Sequence, residues 1–307
     1  MIFIFSNYIS FCAFVKREIK NRYFQINVLE IAMPIQSPVT TPHSPLSYDF
    51  ANILFAGRCN ARCPFCIGRQ VDSRLNVSNL DAYPPANLDE FVEMIRHFAI
   101  RQIVFTGTTT DPQLYRHEAR LLDYLRSELH PESRFSLHTN GRLALGKLAI
   151  FNSYDRVCIS FPSFDEATYR RVMGVAHVPD LDEIVRRATV PVKVSCVVTE
   201  ANRREIPDFL RRCQEIGIER LVLRKLYGEQ RAWNDLLDWG RLGLISQGTY
   251  RANPVYHLGG LEVTLWDFDR TESRSLNLFA DGTISGAYRL AAAEPVDRTP
   301  GPQTTDG

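Results

Sequence analysis

The stretch NILFAGRCNARCPFC, Asn52 to Cys66, passes from a short apolar run through a glycine into three cysteines spaced CxxxCxxC. Its first five residues, bounded by Gly57, read as a buried β-strand. The thiols of Cys59, Cys63 and Cys66 then form a compact cup of soft ligands. A structural zinc ion takes four ligands, and no histidine stands nearby, His43 and His97 being the nearest in sequence. A cubane iron–sulfur cluster tolerates three protein thiolates and leaves one iron open to an exchangeable ligand. Three cysteines therefore suggest chemistry more than scaffolding.

Outward from this stretch the chain alternates short apolar runs with amphipathic ones. Leu88–Ala99 is predicted helical, with Asn87 and Glu90 as a capping box. Gln102–Phe105 is the next strand, followed by a Thr-rich loop. Gln113–Leu129 is a helix with Leu114, Leu121, Leu122 and Leu125 on one face and Pro112 at its start. Strand Arg134–His138, helix Arg142–Phe151, strand Arg156–Phe161 and a helix capped by Ser163 and Glu166 repeat the pattern. Asp180 and Glu183 cap a helix that leads to the strand Val192–Val198. Asn202 and Glu205 cap another, which stops at Gly217 before the strand Arg220–Leu223. Such alternation with short connections predicts an α/β fold with a parallel sheet and helices outside. Right-handed crossovers then favour a curved partial (β/α)6 TIM-like barrel or a doubly wound sheet. Past residue 250, Leu261–Phe268 and Ser275–Phe279 read as strands. Asp281-Gly282 turns into Thr283–Tyr288, which predicts a small C-terminal β appendage closing one end of the sheet.

The formal net charge of +1 over 307 residues gives no field to draw nucleic acid or a membrane surface. The positive charge is nearly all arginine, which suits carboxylate or phosphate contacts and also follows from a GC-rich genome. Seven cysteines, an odd number, with no export signal argue against a disulfide framework and for a cytoplasmic protein with reduced thiols. The apolar start MIFIFSNYISFCAFV is followed, not preceded, by Lys16 and Arg17, unlike a signal peptide. It is also shorter than the roughly 20 residues that span a bilayer. Met33 offers an alternative start, so residues 1–32 read as a non-native extension or loose appendage. The tail 293–307, rich in Pro, Thr, Gly and Asp, is expected to be disordered.

The segment CNARCPFC, with an aromatic residue before the third cysteine, resembles the motif of the radical S-adenosylmethionine (radical SAM) superfamily. Residues 50–228 resemble that family's core. The resemblance implies a [4Fe–4S] cluster on Cys59, Cys63 and Cys66 whose open iron chelates the amino and carboxylate groups of SAM. It implies a reducing partner such as flavodoxin or ferredoxin, and a 5′-deoxyadenosyl radical that takes hydrogen from a small-molecule or peptide substrate. Cofactor contacts are expected at the ends of successive strands. Thr106, Gly107, Thr108, Thr109 and Asp111 stand where relatives carry a Gly-Gly-Glu-Pro type loop, with Thr109 or Asp111 substituting for the missing acid. Asn140 lies in a TNG turn, Ser160 ends the fourth strand, and Arg224, beside Lys225, follows the sixth.

Several residues keep two readings. Asn202 is a neighbour of the adenine or only a helix cap, and His138 a proton donor or a hydrogen-bonded core residue. Cys158 and Cys196 are expected to be small core residues, and Cys213 has no partner in sequence. The pattern Val194–Gly228 looks more like the molybdopterin-cyclase-like branch than the rRNA methyltransferase branch, and no cysteine after Cys213 implies no auxiliary cluster there. Substrate selection is expected from Tyr250, Tyr256, His257, Trp266, Asp267 and Tyr288. The expected division is 1–46 as a loose extension, 47–230 as the core, 231–292 as a β-rich substrate-side segment and 293–307 as tail. The competing readings are a non-catalytic iron–sulfur redox carrier or sensor and a zinc-stabilised binding module.

Overall fold

Six strands follow one another in sequence order, each parallel to the next: β1 (Phe50–Phe55), β2 (Gln102–Gly107), β3 (Arg134–Thr139), β4 (Arg156–Ser160), β5 (Val192–Val197) and β6 (Arg220–Arg224). The structure, a computed structural model, describes residues 47–287. The expectations for residues 1–46, for Tyr288 and for the tail lie outside the described residues. The helices between the strands are α1 (Leu88–His97), α2 (Glu118–Glu128), α3 (Leu148–Phe151), the pair α4 (Glu166–Met173) and α5 (Leu181–Arg187), and α6 (Ile206–Glu215). After β6 come a short α7 (Trp233–Leu236) and the strands β7 (Ile245–Tyr250), β8 (Asn253–Leu258), β9 (Leu261–Trp266), β10 (Ser275–Leu278) and β11 (Ile284–Ser285).

The C-terminal strands do not close one end of the sheet, as expected, but extend both its edges. β9 pairs parallel with β6, and β8 and β7 continue antiparallel beyond it. β10 pairs parallel with β1, and β11 antiparallel with β10. The result is one open sheet of eleven strands in the order β11-β10-β1-β2-β3-β4-β5-β6-β9-β8-β7, a partial barrel. The hairpin β7–β8 gave no signal in the sequence because every residue of ISQGTY is exposed, so nothing imposes an apolar alternation. The two flanks meet where Arg251, in the hairpin turn, pairs with Asp49 beside β1 at 3.2 Å.

Alternation along the strands separates two faces. Phe135, Leu137, Val157, Ile159, Val194, Cys196, Leu221 and Leu223 pack with helix residues such as Phe91, Leu121, Tyr169, Ile184 and Leu210 in one core. The residues between them, including Ser136, His138, Cys158, Lys193, Ser195 and Arg224, face the other way. On that inner face Arg156, Ser160 and Arg220 are exposed although their strands lie in the middle of the sheet, so the face is open. Cys196 and Cys213 are core residues. Cys158 was expected to join them, but it is buried on the inner face, outside that core.

Local hydrogen bonds shorten several predicted helices. Asn87 sits at φ 57° and its Nδ2 donates to the Gly282 carbonyl at 2.9 Å, so no capping box forms at α1. The predicted helix from Gln113 is a 3₁₀ turn at Pro112–Leu114 and then α2, because Arg116 N donates to Leu80 O instead of an earlier turn. In the predicted helix Arg142–Phe151 only α3 forms. Asn140 Oδ1 accepts from Arg142 N and Thr139 Oγ1 from Gly141 N, local bonds that compete with helix.

β10 is fastened to β1 by side chains as well as by its ladder. Asn52 Nδ2 donates to Asn277 Oδ1 at 2.8 Å, and Asn277 Nδ2 donates to Ser285 O at 3.0 Å, with Asn277 wholly buried. Removing it leaves buried polar atoms unpaired, so Asn277→Ala should cost about 2–3 kcal/mol and lower Tm by roughly 5–10 °C in a thermal melt. A fall under about 2 °C would mean that the backbone ladder alone secures this edge.

Candidate active site

The cysteine loop leaves the C-terminal end of β1, where the fold places the working ends of parallel strands. The thiols of Cys59, Cys63 and Cys66 are free and half-buried. Cys59 Sγ accepts from Ala61 N at 3.4 Å and from Asn140 Nδ2 at 3.9 Å. Cys66 Sγ lies 3.6 Å from Thr108 O, and Cys63 Sγ 3.8 Å from Met173 Sδ. Burial pushes the Cys63 thiol up to about 12, and the charges of Cys66 and Cys59 add to the rise. Burial raises Cys59 as well, against the pull of the Ala61 N–H. Thiols that resist ionising, as Cys59 and Cys63 do, are stabilised as thiolates by a bound cation.

Among the described residues no group of three or more His, Cys, Asp or Glu is arranged as the ligand set of a single metal ion. A cubane takes one thiolate per iron, so three neighbouring but separate sulfurs suit it. The donor set, all thiol and supported by N–H donors, fits an iron–sulfur cluster.

The Thr-rich loop after β2 is what holds the cysteine loop. Thr108 Oγ1 donates to Asn76 Oδ1 at 2.6 Å and to Phe55 O at 3.2 Å. Thr109 Oγ1 accepts from Gly57 N at 3.2 Å, and Thr110 Oγ1 donates to Arg58 O at 3.3 Å. Gly68 packs so tightly that a Cβ there would stand 1.8 Å from Thr108 O, and one on Gly107 would stand 1.7 Å from Thr110 O. Thr108 and Thr109, expected at the cofactor, thus have their hydroxyls engaged in joining the two loops.

Asp111 is likewise turned inward. Its wholly buried carboxylate accepts from Asn140 N at 2.6 Å, from Thr139 Oγ1 at 2.9 Å and from Gln113 N at 2.9 Å. Burial holds it above the usual carboxylate range despite these bonds. Fixed in this way, Asn140 donates to Asn60 Oδ1 at 2.7 Å, within the cysteine motif. Asp111 therefore positions Asn140 against the cysteine loop. Asp111, expected as one of two substitutes for the missing acid, thus has its oxygens facing protein.

Thr106, Ser160 and Arg224 lie on the inner face, and their side chains make no hydrogen bond within the described residues. His138 is half-buried there and is held well below its ordinary value, by desolvation first and then by Lys193, Arg224 and Arg156. Asn202 is a brace: its amide bridges Pro162 O and Val197 O and accepts from Thr199 N, while Glu205 starts α6. Lys225 and Asp267 pair with each other at 2.8 Å. Tyr256 packs on Trp239, and Tyr250 is exposed. Gly68, Asn76 and Met173 escaped sequence reading. Their partners lie far along the chain, 32 residues for Asn76 and Thr108, so no local spacing reveals them.

A partial barrel with a thiol triad on the loop after its first strand defines a class of iron–sulfur enzyme. Residues 53–222 match the model of the Radical SAM superfamily, more than half of the chain, and the chain belongs to that superfamily. The "Probable GTP 3′,8-cyclase" of Saccharolobus solfataricus is 28% identical over 177 residues, covering 55% of this chain and 54% of that protein. Its counterpart in Thermoplasma volcanium is 26% identical over 181 residues, covering 55% and 50%. The chain spans about half the length of the curated relatives it matches. Among solved structures, Streptococcus suis SuiB bound to the precursor peptide SuiA aligns with a TM-score of 0.48 at 14% identity, covering 71% of this chain and 51% of that one. No described helix is long and apolar enough to cross a membrane.

Since the cysteine loop rests on the Thr108 carbonyl, Gly68→Ala should displace Cys66 more than it disturbs the barrel. We expect a loss of about 1–3 kcal/mol, and iron and sulfide content after reconstitution below half that of the parent. Unchanged iron content would show that the two loops move apart without harm.

Proposed function

We propose that this radical SAM enzyme holds a [4Fe–4S] cluster on Cys59, Cys63 and Cys66 and abstracts hydrogen from a small-molecule or peptide substrate on the inner face of its sheet. The supporting observation is that one loop after β1 carries three free, half-buried thiols within eight residues, two of them hard to ionise unaided, beside an open polar face. When bound, the cluster supplies the electron that cleaves SAM to the 5′-deoxyadenosyl radical. A small electron carrier of the flavodoxin or ferredoxin type is its natural source.

The chain's own residues have positioning roles. The Ala61 N–H and the Asn140 amide, at Cys59 Sγ, stabilise negative charge on that sulfur. Thr106 and Ser160, whose hydroxyls make no hydrogen bond among the described residues, offer polar groups to SAM, with the backbone at Gly107 beside them. Thr108, Thr109 and Asp111 keep the two loops in register with each other. The aliphatic and aromatic core outside the sheet keeps these strand ends rigid, which a radical intermediate requires if it is to meet only its intended partner.

The test is anaerobic reconstitution with iron and sulfide, reduction with dithionite in the presence of SAM, and chromatography for 5′-deoxyadenosine. The parent protein should form it, and Cys63→Ala should form none. A Cys63→Ala protein that still cleaves SAM would overturn the assignment.

A further inference from the structure

The inner face carries a concentration of positive charge that the protein does not neutralise. Strand register places His138, Cys158, Lys193, Arg220 and Glu262 in one row across β3, β4, β5, β6 and β9. Arg156 lies next to this row, opposite Ser136, and Arg224 lies opposite Trp266. Of the four cations, Arg220 is paired with Glu262 at 3.0 Å. Arg156 donates to two neutral groups, Ser136 Oγ and Gln102 Oε1. Asp155 also acts on Arg156, but its carboxylate is already shared by Arg126 and Arg134.

Lys193 and Arg224 have no carboxylate and no hydrogen-bond acceptor among the described residues. Arg224 stands 5.8 Å from the Trp266 ring centre and 5.7 Å from that of Phe268, and its buried Nε has no partner. Cys158 favours the charged form of Lys193, yet burial and the three arginines outweigh it and lower the ammonium's pKa. Like charges held together in a half-buried site cost stability, and such arrangements persist chiefly where a ligand uses them. Exposed Arg156, Ser160 and Arg220 around the pair leave it reachable from the open side of the sheet.

SAM is a poor match for two cations. It has a single carboxylate, which the proposed cluster engages, together with a sulfonium and an amino group. We propose that Lys193 and Arg224 anchor a dianionic head group of the substrate, a phosphomonoester or a pair of carboxylates, on β5 and β6. The guanidinium grips two oxygens side by side, the ammonium neutralises the second charge, and Trp266 and Phe268 flank the guanidinium. This placement rests on the inner face being the substrate face, as proposed above.

The test uses the full chain, reconstituted anaerobically and saturated with SAM. Inorganic phosphate and succinate are titrated separately by calorimetry at pH 8, against sodium chloride of matched ionic strength. At least one should bind at one site per chain, and Lys193→Met and Arg224→Met should each weaken it tenfold or more. Phosphate alone would identify a phosphoryl head group, and succinate alone a dicarboxylate. Without either anion, Lys193→Met should melt higher than the parent, since a repelled cation is gone. Binding of neither probe above chloride, or binding that survives both substitutions, would overturn the proposal. So would a lower melting point in Lys193→Met. The same parent sample is assayed for 5′-deoxyadenosine, so failure of the radical assignment is read separately from failure to bind the anion.

Discussion

A parallel strand–helix–strand crossover is right-handed because a twisted strand returns over its sheet with good packing only in that sense. When strands succeed one another without a reversal of order, each crossover places its helix on the same face. β1 to β6 never reverse, so their helices share a single core and the other face receives none. Parallel strands covered on both sides read as continuous hydrophobic runs. Here RFSLHT, RVCIS, VKVSCV and RLVLR alternate, with Phe, Leu, Val and Ile toward the helices and Ser, His, Cys, Lys and Arg away from them. The polar inner face follows from strand order, and function is built on what that order leaves uncovered.

The cysteine loop has little structure of its own between Gly57 and Cys66. It is held by the loop of the next strand. Parallel pairing of β1 with β2 brings Phe55 level with Gly107, so the two loops emerge side by side and the threonine hydroxyls reach across. Glycines at 68 and 107 allow backbone to touch backbone where a methyl group would collide. Asp111 then secures the third loop through Asn140. Three successive strand ends are thereby joined into one rigid rim through backbone-directed hydrogen bonds.

The sequence made the strands and the thiol triad legible because both are local signals: five or six residues of period two, and a spacing within eight residues. Helix ends were harder to read. Asn87 and Asn202 both look like caps in sequence, yet one side chain binds Gly282 and the other bridges Pro162 and Val197. An asparagine before an apolar run is equally suited to either role, and only the fold decides. Cys158 and Cys196 look alike in sequence, each amid apolar strand residues. Their opposite faces depend on register relative to the helices, which no window of the chain contains. The threonine loop was recognised by position, while the targets of its hydroxyls were set by contacts more than fifty residues away for Phe55 and Gly57.

Charge shows the same separation of global and local information. A net charge of +1 reflects 36 basic against 35 acidic residues, and many of the two kinds meet on the outer surface. There arginines meet acids, as in Arg96 with Glu93 and Glu128, Arg203 with Glu200, and Arg231 with Glu229. Such exposed pairs contribute little each, but they use up the carboxylates. Among the described residues of the inner face Glu262 pairs with Arg220, and no carboxylate forms an ion pair with Arg156, Lys193 or Arg224. Near-neutrality of the whole chain is a matter of counts, while on the inner face a lower dielectric and fewer screening ions make each unmatched charge count for more. Near-neutrality summed over the chain therefore leaves open the sign of any one wall of the sheet, which strand register decides.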